Sequence, residues 1–317
     1  MILRPGTQHL QRWITALASL VAALGTVAAG VGILTAWGHV HRSFVSLRSE
    51  AVSIQGGGIY AHDSVSGAAQ AIGQDFVTLL VAVPLLLVAS RMASTGSVRG
   101  QLMRAGALAY FAYTYLLLAF GATYNELFLV YVAVFSASAF GLVLGVVSID
   151  SGRLPDHFSP RFARGRVGWA LIGFGAVLAL MWLGRIAPSL VAGTAPPGLD
   201  NYSTLFVQAG DLGIVIPTAI LAGSLLLRGQ AFGYLLAPVM LVMASAFGLA
   251  LLAMSASMAL GGVEIAPVEV VIFSILALVF LVANVHTLLS VRAHAREAAG
   301  AGITVSAGAP VDGELAA

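Results

Sequence analysis

The stretch GYLLAPVMLVMASAFGLALLAMSASMA, residues 233–259, decides the fold: it carries no charged side chain from end to end. An α-helix rises about 1.5 Å per residue, so this run alone exceeds the ~30 Å of a bilayer's hydrocarbon core. Seven further runs of the same character lie near 13–37, 75–91, 101–121, 127–148, 168–186, 212–228 and 268–290. They are continuous rather than alternating, which in lipid means helices and not the strands of a barrel. Composition agrees, with 59% hydrophobic and 9% charged residues and a mean hydropathy of +0.96; a soluble domain carries about 25% charged residues. The sequence therefore predicts an all-α, polytopic transmembrane helical bundle of about eight spans over residues 1–292. The Ala- and Gly-rich segment 293–317 is expected to be a disordered cytoplasmic tail. Arg4 and Arg12 precede the first run, but that run is too long for a signal peptide and reads as an uncleaved helix.

Working outward from the runs, arginine follows the alternation of the pieces between them. The odd-numbered pieces hold Arg4, Arg12, Arg91, Arg99, Arg104, Arg153, Arg161, Arg164, Arg166, Arg228, Arg292 and Arg296, while the even-numbered ones hold only Arg42, Arg48 and Arg185. Basic loops stay on the cytoplasmic side, so this asymmetry places both chain ends in the cytoplasm of a bacterial plasma membrane. The outer pieces then carry a net charge of −5 and the inner ones +7. Anionic lipid headgroups are the expected partners of the inner arginines. Nucleic acid is not, because no basic patch is interleaved with aromatics. All 15 basic residues are Arg and there is no Cys, which excludes thiol catalysis, iron–sulfur clusters, Schiff bases and a P-loop lysine. No nucleotide-binding or hydrolase motif is present and no cofactor is expected.

The two halves, 1–150 and 151–292, share an outline that suggests a 4+4 tandem repeat. Each has a long outer connection after its first span. The second and sixth spans follow Gln74-Asp75 and Gln208…Asp211, contain Pro84 and Pro217, and are succeeded by Arg99-Gly100-Gln101 and Arg228-Gly229-Gln230. Proline lacks an N–H, so Pro84, Pro217 and Pro238 are each expected to kink or break a helix. The stretch Gln208-Ala209-Gly210-Asp211-Leu212-Gly213-Ile214-Val215-Ile216-Pro217, with Gly233-Tyr234-Leu235-Leu236-Ala237-Pro238, resembles uncharacterised multi-pass bacterial membrane proteins. That resemblance implies an integral membrane protein and no particular activity.

The residues able to carry chemistry gather at the outer ends. Asp75, Glu126, Asp211 and Glu269 stand near the starts of the spans that run inward, where an acid complements the positive helix end. With Gln74, Tyr124, Asn125 and Gln208 they could instead bind a cation or small solute, since a membrane-depth acid needs a partner or a wet cavity. On that reading Asp75 and Asp211 face each other across the bundle near its outer side. His39, His41, His62 and Asp63 are weaker candidates for a metal. The leading expectation is a small-solute or ion transporter; the alternatives are a sensor or scaffold, and a membrane enzyme acting on lipid. The threading is testable by reporter fusions. Fusions after Arg99 and Arg164 and at both chain ends should report the cytoplasm, and one after Gly57 the periplasm; chain ends on opposite sides would contradict it.

Overall fold

The computed structural model describes residues 3–7, 9–38 and 40–292; His39 and the tail expected at 293–317 lie outside the described residues. Among the described residues eight helices are long and apolar enough to cross a membrane: α1 (Leu10–Leu34), α2 (Val65–Ser94), α3 (Val98–Phe120), α4 (Phe128–Ser148), α5 (Arg164–Ala192), α6 (Phe206–Leu227), α7 (Ala231–Leu260) and α8 (Pro267–Ser290). The bundle is therefore all-α in its spans, as the apolar runs predict. A short hairpin of β1 (Arg42–Val45) and β2 (Ala51–Ile54), antiparallel with Arg42 opposite Ile54, rises from the connection after α1.

Local chemistry sets several helix ends. Ser64 Oγ accepts from the Gly67 N–H at 3.0 Å, and Ser97 Oγ from that of Gly100 at 3.1 Å, satisfying N–H groups that have no acceptor within the helix. The Ser64 cap starts α2 well before residue 75, where the apolar run begins. Asp75 accordingly lies inside the helix and not at its mouth. α5 is longer than the run 168–186, spans Pro188, and stops at Gly193, whose φ of 64° is a left-handed conformation.

Helices α3 and α7 form the centre. The apolar windows of α3 and α7 are 67% and 72% buried, against 22% for α5 and 17% for α8. α3 and α7 pack on each other; α2 packs on both, α6 on α5 and α7, α4 on α1 and α3, and α8 on α7. Close approach at the centre depends on Gly106, where a Cβ would come 2.5 Å from Val242 Cβ and 2.9 Å from the Val239 carbonyl oxygen. Association in lipid rests on such packing, because apolar burial gives no drive between helices already in hydrocarbon.

Contacts identify the two ends of the bundle. At one end the Arg4 N–H donates to the Ser148 carbonyl, Arg99 Nη2 to that of Val291, the Ser159 N–H to that of Ser290, and the Arg292 N–H to that of His157. The first described residues and the last helix thus finish together, as an even number of crossings requires. This end carries most of the arginines. At the other, acid-rich end the hairpin meets the α5–α6 connection. Two of the three arginines that break the charge pattern are occupied there by carbonyls. Arg48 donates to Asp200 and Tyr202, and Arg185 to Pro197 at 3.1 and 2.8 Å through Nε and Nη2.

The prolines behave differently from one another. Thr78–Ala82 in α2 and Asp211–Val215 in α6 are π-helical turns, and Pro84 and Pro217 each stand two residues beyond one. A π turn accommodates an extra residue and relaxes the backbone where the proline removes a hydrogen bond. Pro238, of the kink or break expected there, does not break the helix: it sits within a continuous α7. A packing test follows. Gly106→Leu should lower the unfolding midpoint in detergent, with an overpacking cost of about 1–3 kcal/mol. Gly145→Ala, where a Cβ meets nothing within 4 Å, should leave the midpoint unchanged.

Candidate functional site

Asp75 is 3% exposed and lies one helical turn before the π turn of α2. Its Oδ2 accepts from the Tyr60 hydroxyl at 2.6 Å, its one side-chain hydrogen bond among the described residues. No arginine or histidine pairs with it there. Space for the carboxylate comes from Gly32 of α1, where any Cβ would strike Asp75 and come within 3.0 Å of the Tyr60 hydroxyl. Tyr110, Tyr115 and Tyr131, all buried, are further electrostatic neighbours. Tyr60 precedes α2, and burial, then the charge of Asp75, pushes its hydroxyl well above its ordinary value; it therefore remains a donor.

The preceding residue extends the network. Gln74 Nε2 donates to the Tyr110 hydroxyl at 2.5 Å and to Thr114 Oγ1 at 3.2 Å. Thr78, in the π turn, shares a 3.0 Å hydrogen bond with the same Tyr110 hydroxyl. Gln74 Oε1 is buried and has no hydrogen-bond partner. An amide oxygen left so is costly in a low-dielectric interior and is a free acceptor for a cation, a donor or water.

Asp211 occupies the first position of the second π turn. The Tyr113 hydroxyl donates to its Oδ1, and Trp182 Nε1 of α5 donates to its Oδ2 at 2.8 Å. Trp13, Trp37 and Trp169 are mostly exposed, as indoles at the headgroup level are, whereas Trp182 donates to a carboxylate. Asp75 and Asp211 share no hydrogen-bond partner among the described residues, but both neighbour α3. Tyr110 and Tyr113 are one turn apart, and the Phe247 ring of α7 lies against both, with centroids at 4.9 and 5.3 Å. Aligning the two π turns and their prolines sets Thr78 against Asp211 and Asp75 against Gln208, not acid against acid as the sequence outline suggests.

The other expected residues separate. Glu126, Tyr124 and Glu269 are exposed at the acid-rich rim, and Gln208 is buried in α6. Neither Glu126 nor any other side chain caps α4; just before the helix Asn125 Oδ1 accepts from the Leu127 N–H at 3.0 Å, while its Nδ2 lies 3.5 Å from the Tyr131 hydroxyl. Asn125, Thr123, Tyr124 and Tyr131 line a cleft of about 90 Å³, room for about three waters at their liquid volume. From it the hydroxyl of Tyr131 leads to Tyr60, its electrostatic neighbour, and so to Asp75.

Asp63 lies beside this cleft, bonded to its lining residue Thr123. It is buried, and it accepts from the Thr123 N–H at 3.1 Å, from the Thr123 hydroxyl, and from the Tyr202 hydroxyl at 3.0 Å. It thereby ties the α1–α2, α3–α4 and α5–α6 connections together. His41 and His62 are exposed, and among the described residues no three side chains of metal-ligating type come together. Sequence reasoning missed the roles of Trp182, Arg48 and Arg185 as partners, because nothing local marks a long-range hydrogen bond.

No protein-family model, curated protein or solved structure matches this chain. The site is read from its geometry.

Burial raises the Asp63 carboxyl above its ordinary value, and the hydrogen bonds from Thr123 and Tyr202 offset only part of this. A carboxyl raised on folding stabilises most below its unfolded value of about 3.9, and the contribution is lost as pH rises through the folded value. Asp63→Asn should therefore remove a decline in unfolding midpoint that the parent protein shows as pH rises above about 4. An unchanged slope in the variant would contradict this assignment.

Proposed function

We propose that this chain is a small-solute or ion transporter of the bacterial plasma membrane, with its arginine-rich end in the cytoplasm and Asp75 as the group that binds the transported or coupling cation. The observation that carries the reading is a carboxylate buried inside the bundle without a cationic partner. Such a group is expensive in a membrane and is retained where it faces a pathway. Gln74 Oε1, a buried acceptor without a donor, stands beside it in sequence and adds a neutral oxygen of the kind that replaces water around a small cation. The hydroxyls of Tyr131 and Tyr60 connect it with the cleft at the acid-rich end, whose negative charge concentrates cations.

A 4+4 repeat supports the same reading. The π turn followed by proline recurs in α2 and α6 at an identical spacing. Helix α2 packs on α7 as α6 meets α3, and α3 crosses α7 between them. Parallel repeats of this kind place a site at the interface of the halves, on helices whose regular hydrogen bonding is interrupted. Asp211, satisfied by Tyr113 and Trp182, acts in this scheme as the second polar anchor of α3, not as the cation ligand.

Proteoliposomes on a solid-supported membrane test the proposal. Jumps in protons, sodium or a panel of small amino acids and organic cations should yield a current or uptake that Asp75→Asn lowers by about tenfold or more. Asp211→Asn should lower it less, and Glu126→Gln and Glu269→Gln should leave it unaltered. Transport that is indifferent to Asp75→Asn would overturn the site, and a protein that moves none of these probes would overturn the function.

A further inference from the structure

A cleft of about 680 Å³ lies at the opposite end from Asp75, between the α4–α5 connection and the start of α7. Arg161, Arg164 and Arg166 line it, over a floor of Phe158, Phe162 and Tyr234. The floor is packed: Phe158 lies on Phe162 and Tyr234 with ring centroids at 4.8 and 5.1 Å. The walls are cationic, and among the described residues none of the three arginines is in an ion pair. Among the described residues the ion pairs are Arg48 with Glu50 and Arg153 with Asp150; neighbouring Asp156 pairs with none of the three cleft arginines. The Arg164 guanidinium rests over Gly229 in the α6–α7 turn, where a Cβ would lie 2.7 Å from its Nη1. A side chain there would move the guanidinium. The first turn of α5 holds no acid, and no side chain caps it, so its free N–H groups add to the positive field.

We propose that this cleft is a binding site for the phosphodiester headgroup of an anionic phospholipid. Three guanidiniums in one cleft match phosphate oxygens through paired N–H donors. The aromatic floor suits the glycerol and first methylenes beneath the phosphate. The depth is that of a membrane boundary: Trp169, in the second turn of α5, is 66% exposed, and indoles settle at the headgroup level. A lipid held here would join the α4–α5 connection to the α6–α7 turn.

The test uses the full-length protein released from nanodiscs and examined by native mass spectrometry. With phosphatidylglycerol, one lipid should remain bound under conditions that strip phosphatidylcholine. Removing charge-assisted pairs with R161Q/R164Q/R166Q should weaken this retention by about tenfold or more. R161K/R164K/R166K, which keeps the charge but loses the paired donors, should fall between the two. Arg91→Gln, at the same end but outside the cleft, should retain the lipid. Melting curves in lipid-free detergent establish that the variants are folded. Equal retention of phosphatidylcholine, or full retention by the glutamine variant, would overturn the site. Displacement of the lipid by millimolar inorganic phosphate would overturn the lipid assignment and make the ligand a free phosphate.

Discussion

A polar group inside a bilayer has no water to turn to, and in this bundle that constraint is met largely through one helix. α3 carries Arg104, Tyr110, Tyr113, Thr114 and Tyr115, all buried. Gln74 and Thr78 of α2 bond to Tyr110, and Asp211 of α6 to Tyr113. Arg104 reaches Gln11 at 2.6 Å and Thr15 at 3.4 Å on α1. The phenols do this at little cost, because each ring packs in the apolar core while its hydroxyl serves as donor or acceptor. The two helices with interrupted backbones are thus oriented by one rigid neighbour.

Much of the architecture was legible in the sequence. A helix in lipid is specified by length and apolarity alone, so the eight runs from α1 to α8 read directly. Arginine reports on which end a loop occupies, and the contacts of Arg4, Arg99 and Arg292 place those loops together. Hydropathy is blind to polar residues that continue a helix. Ser64 begins α2 upstream of its apolar run, so Asp75 reads as a terminal acid when it is an internal one. The π turns were equally hidden, because Pro84 and Pro217 announce a disturbance but not its form, and Pro238 produces no break. Their register is what separates Asp75 from Asp211.

The candidate site was legible as a set of residue types and not as a geometry. Asp75, Gln74, Asn125 and Asp63 were all recognisable as polar groups near the outer side. Their division into a buried carboxylate, an unpaired amide oxygen, a turn anchor and a loop clamp depends on partners that include Tyr60, Tyr110, Tyr131 and Tyr202. Arg48 and Arg185 are a milder case. As counter-examples to the charge rule they look anomalous, yet each holds backbone carbonyls in a connection that needs donors.

The proposed role of Asp75 requires that its position be reached from the acid-rich end and closed from the other. The chain has no cysteine of its own, so a single Asp75→Cys substitution can be probed without background. In sealed vesicles of known orientation, a small cationic methanethiosulfonate added on the acid-rich side should label Cys at this position, and Tyr131→Phe or Asn125→Ala should change the rate. The same reagent on the arginine-rich side should label it far more slowly. No labelling from either side would mean a sealed polar contact that only holds helices together, and faster labelling from the arginine-rich side would reverse the proposed path.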